Sequence, residues 1–253
     1  MSYLEILILS FIEGLTEFLP ISSTAHLILA NRLMGIESND FTKAFDVIIQ
    51  FGAIAAVIVI YFKNFKWDYL FYQKLFIGFI PTALLGFVLK KHVTSWMENY
   101  TLICWALIVG GLIMILTDYY FKKNETKSDQ LNLKNSFFIG FAQILALIPG
   151  VSRSASTIIA GQFFGLSKKK AAEFSFFLAV PTLTTATFYK LYKIKDILSS
   201  QNTTDLILGV LLSFAFALLA IKFFIHVVQK YGFFWFGIYR ILIGIVLLLY
   251  LKN

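Results

Sequence analysis

Two short runs of polar and titratable residues interrupt an otherwise apolar chain, and both hold residue types that handle a phosphoryl group. The first is Glu13-Gly-Leu-Thr-Glu17-Phe-Leu-Pro20-Ile-Ser22-Ser23-Thr24-Ala-His26; the second is Pro149-Gly150-Val-Ser152-Arg153-Ser154-Ala-Ser156-Thr157. Carboxylates, a His and an Arg are costly at membrane depth and are kept there mainly for chemistry or transport. Glu13 and Glu17 stand four residues apart, so a helix puts both on one face. Two carboxylates that close can hold a divalent cation, share a proton or orient a neighbouring base. The competing reading is an interfacial amphipathic helix with its acidic face among headgroups. The Pro break and the Ser-Ser-Thr-x-His run directly downstream weigh against it.

After Pro20, Ser22-Ser23-Thr24 reads as a helix start with hydroxyls available to cap free amides. His26 follows Ser23 by three residues and falls on the same side of that helix. Imidazole is the side chain best suited to move a proton near neutral pH, and a hydroxyl needs such a base to act as a nucleophile. Ser23 and His26 are therefore candidate nucleophile and base. Direct attack by His26, or by water that His26 activates, fits the same residues. In the second run, Arg153 lies between Ser152 and Ser154, with Thr157 a turn later. Free amides at a helix start, a planar guanidinium and hydroxyls make an oxyanion cradle, and phosphate suits Arg best. Snorkelling at a helix end is the alternative for Arg153.

Weaker candidates lie elsewhere. Asp46 and Gln50 are spaced to support the site from behind, and Glu173 is expected to pair with Lys169 or Lys170. Arg240 lies within a long apolar stretch and needs a partner that the sequence does not name; His92 and His226 read as interfacial. No Walker loop or HExxH pattern occurs.

The elements that must position these residues are membrane helices. Of 253 residues, 58% are hydrophobic and 14% charged, with a mean hydropathy of +0.78, so the chain reads as an all-α polytopic membrane protein. Six stretches are long enough to cross: 44–62, 70–90, 101–121, 172–190, 205–226 and 233–251. Between them lie shorter apolar pieces broken by Pro, 4–19 with 22–34 and 135–148 with 154–165, which read as two re-entrant helical hairpins. Broken backbone at membrane depth is tolerated only against protein or a wet cavity, so both breaks point inward. The order hairpin then three spans occurs twice, giving inverted repeats of about 1–121 and 134–253. An offset of 129 lays Pro20 on Pro149, Ser23 on Ser152 and Phe45 on Phe174.

The formal charge of +8 resides largely in short basic clusters between spans, which points to topology and anionic lipid headgroups and not to nucleic acid. Assigning the loops to two sides gives eleven basic residues, Lys66 and Lys127 among them, against eight, with the larger count cytoplasmic and both termini outside. No Lys or Arg precedes Arg32, so a cleaved signal peptide is not expected. Cys104, the single cysteine, reads as a packing residue.

The two motifs, in this order and with six spans and two hairpins, resemble the undecaprenyl-pyrophosphate phosphatases, the bacitracin-resistance proteins of bacterial membranes. Ala25 and Ala155 stand where many members have Gly. The resemblance covers essentially the whole chain. It implies removal of the terminal phosphate from undecaprenyl pyrophosphate, which regenerates the lipid carrier of cell-wall synthesis and confers bacitracin resistance. It also implies a divalent cation, Mg2+ or Ca2+, residence in the bacterial inner membrane, and a site opening to the periplasmic or outer face. A homodimer is left open. On this reading Ser23 attacks, His26 is its base, Glu17 orients His26, Glu13 and Glu17 hold the cation, and Arg153 stabilises the phosphoryl group. Ser22, Ser152, Ser154 and Thr157 help bind phosphate, and the polyprenyl tail follows a Phe-rich groove. A secondary transporter or flippase for a phosphate-bearing solute or lipid is the rival class. The Ser23–His26 pair favours hydrolysis, since a carrier needs no activated nucleophile.

Overall fold

The computed structural model describes residues 1–65, 68–123 and 130–252, and these form helices joined by short turns, without strands. Lys66 and Lys127, used in the charge count, lie outside the described residues. The helices begin where the sequence supplies caps. Ser2 caps α1 (Tyr3–Thr16) with Glu5 returning to its amide, Asn39 caps α3 (Asp40–Ile48), and Asp68 caps α5 (Tyr69–Val88). Asn132, Ser167 and Ser199 do the same for α8 (Leu133–Gln143), α10 (Lys168–Ile194) and α11 (Ser200–Tyr231). The remaining helices are α2 (Ser23–Leu33), α4 (Gln50–Ile60), α6 (Lys90–Met97), α7 (Tyr100–Lys123), α9 (Arg153–Phe163) and α12 (Phe234–Lys252).

Among the described residues, four helical segments are long and apolar enough to cross a membrane: Asp40–Ile60, Tyr69–Val88, Tyr100–Phe121 and Ser200–Tyr231. The protein is a multi-pass membrane protein. The first of these segments is α3 and α4 together, jointed at Ile49. The other two expected spans fall in α10, which does not reach the same measure among the described residues, and in α12, of which Phe234–Tyr250 is a shorter apolar helix. In α10 the reason is local: three lysines open the helix, and Glu173, Ser175 and Thr182 face polar partners.

At each Pro break the chain forms a pair of packed helices, α1 with α2 and α8 with α9, referred to below as the two hairpins. Each first arm packs on a long helix of the other half of the chain, α1 on α11 and α8 on α5, while α12 lies along α7. In lipid such packing rests on close approach and not on solvent exclusion, so small residues mark the crossings. Gly78 of α5 and Gly140 of α8 bring two backbones into contact, and Gly111 and Gly237 do so for α7 and α12. A phenylalanine cluster built on Phe18, Phe176, Phe177 and Phe224 fills the centre and backs the site.

Candidate active site

The two hairpin breaks meet at a cleft of about 930 Å³, including its open mouth. Its polar wall includes Glu17, Ser22, Ser23, Ser152 and Arg153. Ser22 and Ser152 cap α2 and α9 in the same way, each hydroxyl accepting from the amide three residues on, Ala25 at 3.4 Å and Ala155 at 3.2 Å. Both have positive φ, 71° and 77°, and they are the only non-glycine residues with positive φ among the described residues. Such strain, of order 1–3 kcal/mol each, survives only where the surroundings over-determine it. The caps stand 130 residues apart, so the register after the breaks is one longer than the offset read from sequence. Ser22, and not Ser23, matches Ser152, while Ser23 matches Arg153.

That register puts the reactive atoms side by side. Ser23 Oγ donates to Glu17 Oε2 at 2.5 Å, and Arg153 Nη2 donates to Glu17 Oε1 at 2.7 Å. Arg153 Nη1 donates to the Ser175 carbonyl at 2.9 Å, fixing the guanidinium plane, and Phe18 lies 5.6 Å from its centre. This charge-assisted chain is nearly dry: the side chains of Arg153 and Glu17 retain 9% and 5% of their exposure.

The structure corrects several expected roles. His26 touches neither Ser23 nor Glu17. Its Nδ1 lies 2.8 Å from the Ser22 carbonyl, its Nε2 lies 2.8 Å from the Tyr239 hydroxyl, and it does not line the cleft. Residues three apart on a helix point about 60° apart, enough at this narrow break to send Ser23 into the cleft and His26 out toward α12. Ser154 and Thr157 also stand behind the cleft wall and not in it. Ser154 Oγ donates to the Leu19 carbonyl at 2.9 Å, binding the second hairpin to the first. Thr157 Oγ1 lies 2.7 Å from Ser175 Oγ and 2.9 Å from the Arg153 carbonyl, so it steadies the residue that holds the guanidinium. The apolar lining of the cleft is aliphatic, with Val47, Val93, Met97, Leu147 and Leu183 and no Phe among the described residues; Phe18, Phe176 and Phe224 lie in the core, and others such as Phe76 and Phe223 face outward.

A scan against family models matches residues 6–246 to the bacitracin resistance protein BacA. The chain belongs to the BacA family. Similar curated proteins cover almost its full length and are named undecaprenyl-diphosphatase. That of Bdellovibrio bacteriovorus is 51% identical over 254 residues, 99% of this chain and 97% of its own. That of Persephonella marina is 46% identical with 99% of both chains covered, and that of Campylobacter fetus is 43% identical, covering 99% and 100%.

In this BacA chain the two carboxylates expected to hold a divalent cation are Glu13 and Glu17. Glu13 has no exposed surface and neither carboxylate oxygen has a hydrogen-bond partner, a costly state for a buried acid. The charges of Glu17, Asp46 and Arg153 all act on it. Among the described residues no three His, Cys, Asp or Glu side chains gather as a ready-made cage. Two carboxylates are the protein share that Mg2+ typically takes when substrate phosphates supply further oxygens, so the donor set fits. Gln50 lines the cleft directly, whereas Asp46 is held by Asn31 at 2.6 Å. Lys170 pairs with Glu173 at 3.1 Å, as expected.

Arg240 obtains its partners from the breaks themselves. It is fully buried on α12 and donates to the carbonyls of Pro20 at 3.0 Å, Val151 at 2.9 Å, Gly150 at 2.7 Å and Ala106 at 3.1 Å. Helix breaks leave carbonyls without partners, which lipid cannot satisfy. One guanidinium satisfies those of both hairpins and clasps them together. Ser175 and Tyr239 were missed from sequence because nothing local marks them. Gln143 was missed too, although it stands 130 residues after Glu13; it faces the cleft, its amide donating to Thr82 and Thr182 at 3.0 and 3.2 Å.

Proposed function

We propose that this protein hydrolyses undecaprenyl pyrophosphate to undecaprenyl phosphate and inorganic phosphate in the cleft between its hairpins. The shared name of its relatives supports the substrate and the reaction. The observation that carries the mechanism is the unbroken chain Ser23–Glu17–Arg153. Ser23 Oγ attacks the terminal phosphorus while its proton passes to Glu17 Oε2, and the bond to the bridging oxygen breaks, releasing undecaprenyl phosphate. Water then attacks phosphorus while Glu17 Oε2 returns its proton to the departing Ser23 Oγ, and inorganic phosphate leaves carrying the oxygen and protons of that water. Arg153, with the first-turn amides of α2 and α9 that the caps leave free, stabilises charge on the equatorial oxygens. Ser22 and Ser152 complete the polar wall, and Ser154 and Thr157 support it. The prenyl tail leaves along Val93, Met97, Leu147 and Leu183.

Glu13 and Glu17 hold a divalent cation, Mg2+ or Ca2+. When bound it neutralises charge on the phosphoryl group and orients it. The chain crosses the bacterial inner membrane six times, with two re-entrant hairpins and inverted repeats of 1–121 and 134–253. The matched strained caps and the reciprocal packing of α1 on α11 and α8 on α5 support that arrangement. The excess of basic residues on one side supports an outward-facing cleft.

Inorganic phosphate released from a polyprenyl pyrophosphate by purified protein in detergent tests the reaction; binding without release would favour a carrier. Mass spectrometry of the enzyme trapped during turnover tests the nucleophile. Phosphate is expected on Ser23, and phosphate on His26 would refute the serine assignment.

A further inference from the structure

His26 carries the site's one imidazole, yet the reaction drawn above does not use it. Its surroundings have an exact counterpart in the second hairpin. At each strained serine the carbonyl receives two donors from the residue four positions on, the amide and the side chain. For Ser22 these are His26 N at 3.3 Å and His26 Nδ1 at 2.8 Å; for Ser152 they are Ser156 N at 3.1 Å and Ser156 Oγ at 3.0 Å. A carbonyl only accepts, so Nδ1 carries the proton, and in the neutral ring Nε2 accepts from the Tyr239 hydroxyl at 2.8 Å. The two rings lie within 6° of parallel. Both nitrogens are thus committed to polar atoms other than those of Ser23, whose own proton is directed at Glu17. Tyr239 immediately precedes Arg240, so α12 clasps the breaks through Arg240 and reaches the latch on Ser22 through Tyr239.

We propose that His26 and Tyr239 are positioning residues: Tyr239 holds the imidazole, the imidazole holds the Ser22 carbonyl, and the strained peptide so fixed aims Ser23 Oγ into the cleft. No proton passes between His26 and the substrate. This inference rests on the serine reading. Ser156 shows that a hydroxyl at this helical position reaches the same carbonyl, so the latch does not require a titratable group.

His26→Ser puts that hydroxyl into the first hairpin. Its kcat, measured from about pH 5 to 8 where imidazole titrates, should keep the wild-type pH profile. Loss of a limb of the profile would overturn the proposal, because that is the mark of a missing base. Tyr239→Phe removes one hydroxyl from a residue that is 39% exposed, and serves if the His26 variant fails to fold. It should lower kcat a few-fold without moving the profile, and should have no further effect in the His26→Ser background. A moved profile, or full additivity, would refute the latch. Ser23→Ala, assayed alongside, separates the two readings: turnover persisting there would defeat the serine mechanism whatever His26 does.

Discussion

The two hairpins are built alike and do different work. Each has an apolar arm, a Pro break, a serine cap at positive φ and a second short helix. Where the first has Ser23 after its cap, the second has Arg153; where the first has Glu13, the second has Gln143. One backbone device, used twice, presents a serine hydroxyl from one side and a guanidinium from the other. Glu17, from the first hairpin alone, bridges them. Duplicated geometry supplies the rigid frame, and asymmetric side chains supply the chemistry.

The sharpest way to break this division is to remove its charged partners. Arg153→Ala is expected to lower turnover by about 10²-fold or more, as for loss of a main oxyanion stabiliser, and phosphate release near the wild-type rate would refute its role. It also leaves Glu17 buried and unpaired, so a thermal melt must accompany the assay. Glu13→Gln should weaken activation by added Mg2+ or Ca2+ while leaving the Ser23–Glu17–Arg153 chain in place. An unchanged metal titration would remove Glu13 from the cation site.

The frame is tested next. Arg240→Met should destabilise the protein by several kcal/mol, since each buried carbonyl left without a donor costs about 1–3 kcal/mol, and it should impair both hairpins together. Ser154→Ala loses one bond between the hairpins, about 1 kcal/mol, with activity falling a few-fold; a loss like that of Arg153→Ala would make Ser154 a substrate ligand after all. The smallest effect is expected from Ser152→Gly, where glycine relieves the positive φ and costs only a few tenths of a kcal/mol as a cap. Ser152→Ala should be distinctly worse, and equal melting temperatures would show that the strain carries no weight.

Much of the site was legible because membrane cost does the filtering. Few polar residues survive at depth without purpose, so the two polar runs and the helix breaks between their arms followed from residue type and Pro position. The partner of Ser23 was not legible. Spacing puts His26 near Ser23 on a helix, but within α2 the two side chains point about 60° apart, and Glu17 arrives from before the break, where helical periodicity no longer applies. The roles of Ser154 and Thr157 failed for a related reason: hydroxyls beside an Arg look like phosphate ligands until their directions are known.

The sequence by itself determined a multi-pass helical membrane protein with two interrupted hairpins carrying carboxylates, a serine and an arginine, because hydropathy, proline and charge act locally along the chain. Only the tertiary structure decided which side chains meet. Glu17 and Arg153 are 136 residues apart, and Arg240 and Pro20 are 220 apart. Contacts at such separations depend on how helices cross, which close approaches such as Gly78 on Gly140 set and no local pattern encodes.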